Sequence, residues 1–336
     1  MDASLLTQCP KHMTHGPCGG VDPDGTCELG DRRCTFVDGP LVTWVGPPAP
    51  HARPADALFD RTDVRPIVVA DLPERSLDSD SVRRAASALA GHADAVLFGD
   101  AGWARVQLPP SYRAGLVARE GIRAWAGLNC RDRNRVALEG ELAALAELGA
   151  LVHCVTGDHT QLGNRPDAQP VFDFDAVQLT ALANAMGLMV SVGENPVAPP
   201  YELRPARAAE KARAGAHVCF VNHAGSADRV RAFVEATRAA GAADMVFLAC
   251  VPLVAGRAGL DLIKTFTGLV LPDGFVEAID AAADPFAEGV AQAIAFAEAV
   301  LEVPGVAGVD LSAAFPPGTE DVATRAAVAV ARELRG

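Results

Sequence analysis

Eight short apolar runs, separated by longer amphipathic stretches, constrain this chain more than any other feature. The runs cover residues 67–70, 95–98, 124–128, 151–155, 188–192, 218–221, 245–249 and 306–311. Each is four to six residues long, the length of a strand buried on both faces of a parallel sheet. Between them, residues 82–90, 135–148, 173–186, 205–214, 227–240 and 285–300 place alanine, valine and leucine at helical spacing. Strand–helix alternation predicts an α/β fold with right-handed crossovers, and eight units close most simply into a (β/α)8 TIM barrel. The rival is an open doubly wound sheet. It expects a glycine-rich fingerprint after the first strand, and none is present.

Three regions follow: a cysteine-rich segment over 1–40, a proline-rich linker over 41–65 and the barrel over 66–336. Aromatic residues make up only 5% of the chain against 50% hydrophobic residues overall, so the core must be built mainly from Ala, Val and Leu. The net charge of −13, without a basic stripe, argues against nucleic acid and anionic membrane surfaces as partners. No uninterrupted apolar stretch reaches membrane-spanning length, and the first residues lack a signal-peptide layout, so the expectation is a cytoplasmic protein.

Chemistry on a TIM barrel belongs to the residues just past each strand. Here these are Asp71, then Gly99 and Asp100, then Asn129 with Arg131, Asp132 and Arg133. Thr156, Gly157, Asp158 and His159 come next, followed by Glu194 and Asn195, and by Asn222 and His223. A ring of carboxylates and amides suits a polar heterocycle. Each one taken singly could equally be a helix N-cap.

The strings NCRDRNR over 129–135, VTGDHTQLG over 155–163, ENPVAPPYELRP over 194–205 and EKARAG over 210–215 resemble the corresponding stretches of methylenetetrahydrofolate reductases. With the strand rhythm, the resemblance covers residues 66 to about 312. It implies that Asp158 contacts the pterin of a folate and that Asp71 is the acid that opens the substrate ring. It implies that Asn222 and Asn129 bind substrate. It implies that Gly157, Asp100, Glu194, Asn195, Arg207 and Lys211 hold FAD, with NAD(P)H as co-substrate. The chain departs from the family pattern at Asp71 (one methylene shorter than a glutamate), Gly99, Thr156 and Asn222. These departures remove hydrogen bonds to flavin or substrate, and leave open a weakly bound or absent FAD with hydride passing directly from nicotinamide.

Cys9, Cys18, Cys27 and Cys34 are separated by eight, eight and six residues, and glycines stand at 16, 19, 20 and 25. A dense cluster in a cytoplasmic chain points to a metal rather than disulfides. Zinc is the expected ion, and a 4Fe–4S cluster is the alternative. The pieces CPK, GPCGG and GTCE resemble the small cysteine domain that accompanies methylenetetrahydrofolate reductases at their C-terminus or on a partner subunit. Cys130, Cys154, Cys219 and Cys250 sit singly in apolar segments and read as buried hydrophobes.

The function implied is an oxidoreductase of one-carbon metabolism and methionine biosynthesis, interconverting methylene- and methyltetrahydrofolate. The alternatives are a folate-dependent methyl or methylene transferase, and a non-catalytic partner subunit of a reductase. A homo-oligomer or a complex with another one-carbon enzyme is the expected assembly.

Overall fold

The computed structural model describes residues 9–39, 41–47, 56–60, 65–100, 104–163, 165–265 and 268–336. A two-stranded antiparallel hairpin, β1 (Thr26–Cys27) and β2 (Gly30–Arg33), lies in the cysteine-rich segment. Eight parallel strands follow: β3 (Ile67–Asp71), β4 (Ala95–Phe98), β5 (Arg123–Asn129), β6 (Leu151–Val155), β7 (Val190–Glu194), β8 (Val218–Val221), β9 (Val246–Val254) and β10 (Val306–Ala314). They close into a barrel in sequence order, with β10 pairing back onto β3. All eight runs expected to be strands are strands, and the sheet is closed rather than open.

The helices outside the barrel are α1 (Ser79–Leu89), α2 (Pro110–Arg119), α3 (Arg135–Glu147), α4 (Ala176–Ala185), α5 (Arg204–Arg213), α6 (Ala227–Ala239), α7 (Arg257–Ile263), α8 (Phe275–Ala281), α9 (Pro285–Leu301) and α10 (Glu320–Arg335). Several begin on a side chain that satisfies the first free backbone N–H groups. Asp78 does so for α1, Asn134 for α3 and Asp284 for α9, while Asp175 and Gln178 form a capping box on α4. No described helix is long and apolar enough to cross a membrane.

Two apolar shells hold the barrel. The outer one packs strand residues such as Val68, Val96 and Ala126 against helix residues such as Leu89, Val117 and Leu142. The inner one fills the lumen with Val69, Trp125, Phe220 and Leu248, and Trp125 meets Phe220 edge-on at 4.9 Å. Phe59, from the segment read as a linker, is 1% exposed and joins this inner cluster, so it helps fill the barrel interior. At Gly308 a side chain would run into the carbonyl of Ile67, so only glycine lets β10 lie so close to β3.

Candidate functional site at the barrel mouth

Strand pairing decides which side chains share the lumen. Asp310 pairs with Val69 on one side and with Cys250 on the other. Asp71 lies two residues beyond Val69 and therefore on the same face, one layer nearer the mouth. The Ser312 hydroxyl donates to Asp71 Oδ2 at 3.0 Å, and the Cys250 thiol approaches Asp310 Oδ2 at 3.8 Å. Asp310 Oδ1 is buried with no hydrogen-bond partner among the described residues. Burial pushes the Asp71 carboxyl up to about 6, against the hydrogen bond from Ser312. Burial and the neighbouring Asp71 charge push Asp310 well above the ordinary carboxylate range. Two carboxyls that cannot both ionise cheaply keep a proton at the mouth.

Across the lumen, Trp125 Nε1 donates to Ser191 Oγ at 2.8 Å, and that hydroxyl donates to the Val152 carbonyl at 3.1 Å. His153 Nδ1 lies 2.9 Å from the same oxygen, whose one proton is already committed. The hydrogen-bond pattern therefore assigns the imidazole proton to Nδ1 and leaves Nε2 as an acceptor beside Gly193. Burial and the Lys211 charge push His153 down to about 3, and burial pushes His223 down to about 4, so both are neutral imidazoles at pH 7. The residues implied for substrate take different positions. Asp158 is exposed on the loop after β6 and lies within electrostatic range of Lys11, Glu28 and Arg131. Asn129 is buried at the end of β5, and Asn222 follows β8 with its Oδ1 near Gly193. Gly157 has φ +86°, and a side chain there would collide with Asn129.

The residues implied for FAD are engaged by the protein itself. Asp100 accepts from Asn129 Nδ2 at 2.7 Å, Arg133 at 2.8 Å and Arg113 at 2.9 Å. Arg113 also pairs with buried Glu74. Glu194 is 3% exposed and receives Lys211 at 2.7 Å and Arg204 at 3.1 Å, with Arg207 at 3.8 Å. Burial opposes its ionisation, but Lys211, Arg207 and Arg204 together pull its carboxyl down to about 2. Burial lowers Lys211, whose ammonium also donates to the Gly193 carbonyl. Asn195 bonds the Gly268 carbonyl and the Val197 N–H. Two buried nitrogens here have no hydrogen-bond partner among the described residues: Nη1 of Arg207, which is among the residues implied for FAD, and Nε of Arg113 beside Asp100. Glu194 offsets only one of the three cations around it, so the cluster keeps a positive surplus and one unpartnered donor, Arg207 Nη1, and it would meet a flavin pyrophosphate only if its other donors released their present partners.

The cysteine segment forms part of the same mouth. Arg204 donates to the Cys18 carbonyl at 3.0 Å, and both Arg204 and Arg207 reach the Pro17 carbonyl. Met13 lies against Thr156, whose hydroxyl points to its sulfur at 3.6 Å. Asp175 accepts from the backbone of Thr14 at 3.0 Å and of His15 at 2.9 Å, and from both of their side chains. Lys11 and Glu28 form a buried ion pair facing the Asp158 loop.

Cys9, Cys18, Cys27 and Cys34 are free thiols, half-buried and close enough to influence one another. Burial, then the other three thiols, push Cys34 up to about 11 despite a backbone hydrogen bond. The donor set has the right chemistry for zinc. However, among the described residues no group of three or more His, Cys, Asp or Glu side chains is arranged to hold a metal ion. A coordination shell would need the loops to draw the sulfurs inward. The remaining four cysteines are buried as expected, and Cys250 lies beside Asp310.

Asp310, Ser312, Cys250 and His153 were not singled out from the sequence as site residues. For Asp310 and Ser312 a signal was available: GVDLS over 308–312 places polar residues at alternate positions of an otherwise apolar strand.

Residues 4–39 match a family model described as the C-terminal part of methylene-tetrahydrofolate reductase. Among solved structures, the barrel resembles an uncharacterized protein from Clostridium thermocellum that binds two copies of 5-methyl-5,6,7,8-tetrahydrofolic acid. The TM-score is 0.58 at 9% identity, over 83% of this chain and 99% of that one. An oxaloacetate acetylhydrolase matches at TM-score 0.45 and 16% identity, over 76% of this chain and 78% of that one. A 2,3-dimethylmalate lyase of the PEP mutase/isocitrate lyase superfamily matches at TM-score 0.45 and 14% identity, over 76% and 75%. No curated protein sequence matches the chain.

Proposed function

We propose that this protein binds a reduced folate across the mouth of its barrel and interconverts methylene- and methyltetrahydrofolate, with a nicotinamide as hydride partner. The observation that carries the reading is the pairing of half-buried Asp71 with buried Asp310, which keeps a proton at the mouth at near-neutral pH. The cysteine segment's match to the reductase domain and the fold shared with a methyltetrahydrofolate-binding protein support it.

In the reducing direction, the Asp71 carboxyl donates its proton to N10 of the folate. The N10–methylene bond breaks, and the N5 lone pair forms the iminium. Hydride from the nicotinamide then adds to the methylene carbon and gives the methyl group. The Asp158 carboxylate hydrogen-bonds the pterin and stabilises the positive charge on the iminium. No step here is routed through a flavin; Lys211 and Arg207 would hold its phosphates only by giving up their present bonds to Glu194 and the Pro17 carbonyl.

The test is calorimetric titration with 5-methyltetrahydrofolate, then turnover of the methylene form with NADH or NADPH, with and without added FAD. Turnover unchanged by FAD supports direct transfer. No folate binding overturns the whole reading. Folate binding with methyl or methylene transfer, but no nicotinamide oxidation, selects the transferase reading, which the self-paired Lys211–Glu194 cluster also suits.

A further inference from the structure

The lumen wall opposite Asp71 carries a hydrogen-bonding group that the proposed chemistry leaves unused. In the closed strand order, β6 stands four places round from β10, and β7 four places from β3. The β6–β7 wall therefore lies across the lumen from the β10–β3 wall. β10 and β3 bring Asp310, Ser312 and Asp71. β6 brings His153, and β7 brings Ser191 and Gly193. The His153 ring meets Phe220, one of the lumen fillers, edge-on at 5.0 Å.

Three hydrogen bonds fix what this imidazole can do. Ser191 Oγ receives Trp125 Nε1–H at 2.8 Å and gives its own proton to the Val152 carbonyl at 3.1 Å. Toward His153 Nδ1, at 2.9 Å, it can then only accept. The ring proton sits on Nδ1, and Nε2 keeps a lone pair with no hydrogen bond among the described residues. Burial and the Lys211 charge hold the ring neutral at pH 7, so Nε2 is an acceptor and not a donor.

Gly193 shows where that lone pair faces. A side chain at 193 would find His153 Nε2 at 3.5 Å and Asn222 Oδ1 at 3.7 Å, with nothing nearer. Two acceptors thus border one empty point on the wall. Gly193 is half-buried and Asn222 exposed, so the point opens to the mouth. Gly193 lies within a strand and has no left-handed backbone to satisfy; what it provides is room. Both acceptors are uncharged, and the Lys211 charge felt at His153 disfavours a cation there. The fitting occupant is a neutral –NH2 group on a planar ring. A folate whose N10 meets Asp71 extends its pterin toward the opposite wall, and the 2-amino group stands at the far end of that ring. A pterin also carries more N–H donors than one carboxylate accepts in its plane, so Asp158 does not exhaust them.

Resting on the folate reading above, we propose that His153 Nε2, together with Asn222, accepts the pterin 2-amino group, which makes His153 a specificity-determining residue that the family resemblance does not assign. The test compares 5-methyltetrahydrofolate with its analogue bearing a methyl in place of the 2-amino group, by calorimetry without nicotinamide. The unaltered protein should bind the analogue at least about tenfold more weakly, because a site that pairs an N–H rejects a group lacking it. His153→Phe keeps a ring against Phe220 and removes the lone pair. It should weaken 5-methyltetrahydrofolate about tenfold and leave the analogue within about twofold. His153→Gln restores an acceptor and should recover part of the loss. Nitrogen NMR of the unaltered, histidine-labelled protein reads the same atom without a substitution in the site. The His153 Nε2 signal, identified by its loss in His153→Gln, should be that of an unprotonated nitrogen. It should move upfield when 5-methyltetrahydrofolate binds and stay in place with the analogue.

Equal loss for both ligands in His153→Phe, a proton on Nε2 in the free protein, or folate binding that leaves its signal unmoved overturns the assignment and leaves the folate reading intact. No binding of 5-methyltetrahydrofolate to the unaltered protein overturns the folate reading, and the assignment with it. NADH is the remaining arm, because its carboxamide also ends in –NH2. If NADH moves the Nε2 signal, its 3-acetylpyridine analogue does not, and the folate does not, the wall belongs to the nicotinamide and the pterin assignment falls.

Discussion

A single carboxyl, Asp71, sets the pH response expected of the mouth. Its folded-state value of about 6 stands above the ordinary 3.8, so between roughly pH 4 and 6 the native state holds a proton that the unfolded chain has lost. Its contribution to stability is therefore complete at low pH and falls away as pH rises through that window. Asp310 acts in the same direction. Asp71→Asn removes the fall. Its melting temperature should exceed that of the unaltered protein by about 2–4 °C at pH 7.5 and match it at pH 4, by scanning calorimetry at both. The same variant should lose about 10²–10⁴-fold in folate turnover, because an amide cannot deliver the proton to N10. Higher stability with undiminished turnover would remove Asp71 from the proton path. Asp158→Asn is a different case. The side chain is exposed and makes no hydrogen bond or ion pair among the described residues, so turnover should fall while the melting temperature stays within about 1 °C. Asp71 and Asp158 were singled out in the sequence because the first closes a strand and the second stands on the loop just past one, where barrel chemistry is expected. Asp310 was missed because it stands inside an apolar run: its alternation with Ser312 marks a shared face, but only the register with Val69 and Cys250 shows that this face is the lumen.

Helix termini tie the barrel to its N-terminal segment. Asp175 caps α4 through the N–H groups of Val177 and Gln178, and with its other oxygen receives Thr14 and His15. Burial disfavours its charge, yet the His15 hydrogen bond and charge, with the bonds from Thr14 and Gln178, hold its carboxyl well below the usual range. One residue thus serves a helix start and a contact 160 positions away in sequence. Asp175→Ala should cost about 3–5 kcal/mol, since it breaks a buried charged network as well as a cap. Asp175→Asn keeps an acceptor for the cap and loses only the charge, so it should cost clearly less. Urea unfolding of the two variants checks the order, and equal costs would show that the cap contributes nothing and that the whole loss lies in the contacts to residues 14–15. Helices that announced themselves by caps and periodicity, such as α3, α4 and α6, were legible in the sequence to within a few residues. Two were not. α2 begins at Pro110 and contains Gly115, which reads as a break until the proline is seen in the first turn, where its missing N–H costs nothing. α10 lies beyond the last strand, where the strand–helix rhythm gives no further cue.

Over the whole molecule, the unexpected arrangement is where the cysteine segment sits. Its composition set it apart as a separate unit, and nothing in a linear sequence brings Pro17 and Cys18 to the arginines of α5 or Lys11 to the neighbourhood of Asp158. Those contacts make it one wall of the mouth, so whatever holds the segment in shape also shapes the site. The proposed zinc on Cys9, Cys18, Cys27 and Cys34 is the candidate. If it is present, elemental analysis finds about one zinc per chain, and binding stabilises the folded segment because the unfolded chain offers no preformed site. Stripping the metal should then loosen residues 9–39. That deprives Arg204 and Arg207 of the Pro17 and Cys18 carbonyls and Asp175 of two backbone donors, while Arg204 keeps the Ala198 and Pro199 carbonyls. The barrel itself, held by its two apolar shells, should keep its far-ultraviolet dichroism, while limited proteolysis moves to the N-terminal segment and folate affinity falls. Asp175→Ala is the control: it should weaken the same docking without releasing zinc. If the variant instead lost its metal, the docking contact would be organising the cysteines rather than the reverse. Stoichiometric iron, or no metal at all, would defeat the zinc assignment and leave Asp175 and the α5 arginines as the features that fix the segment over the mouth.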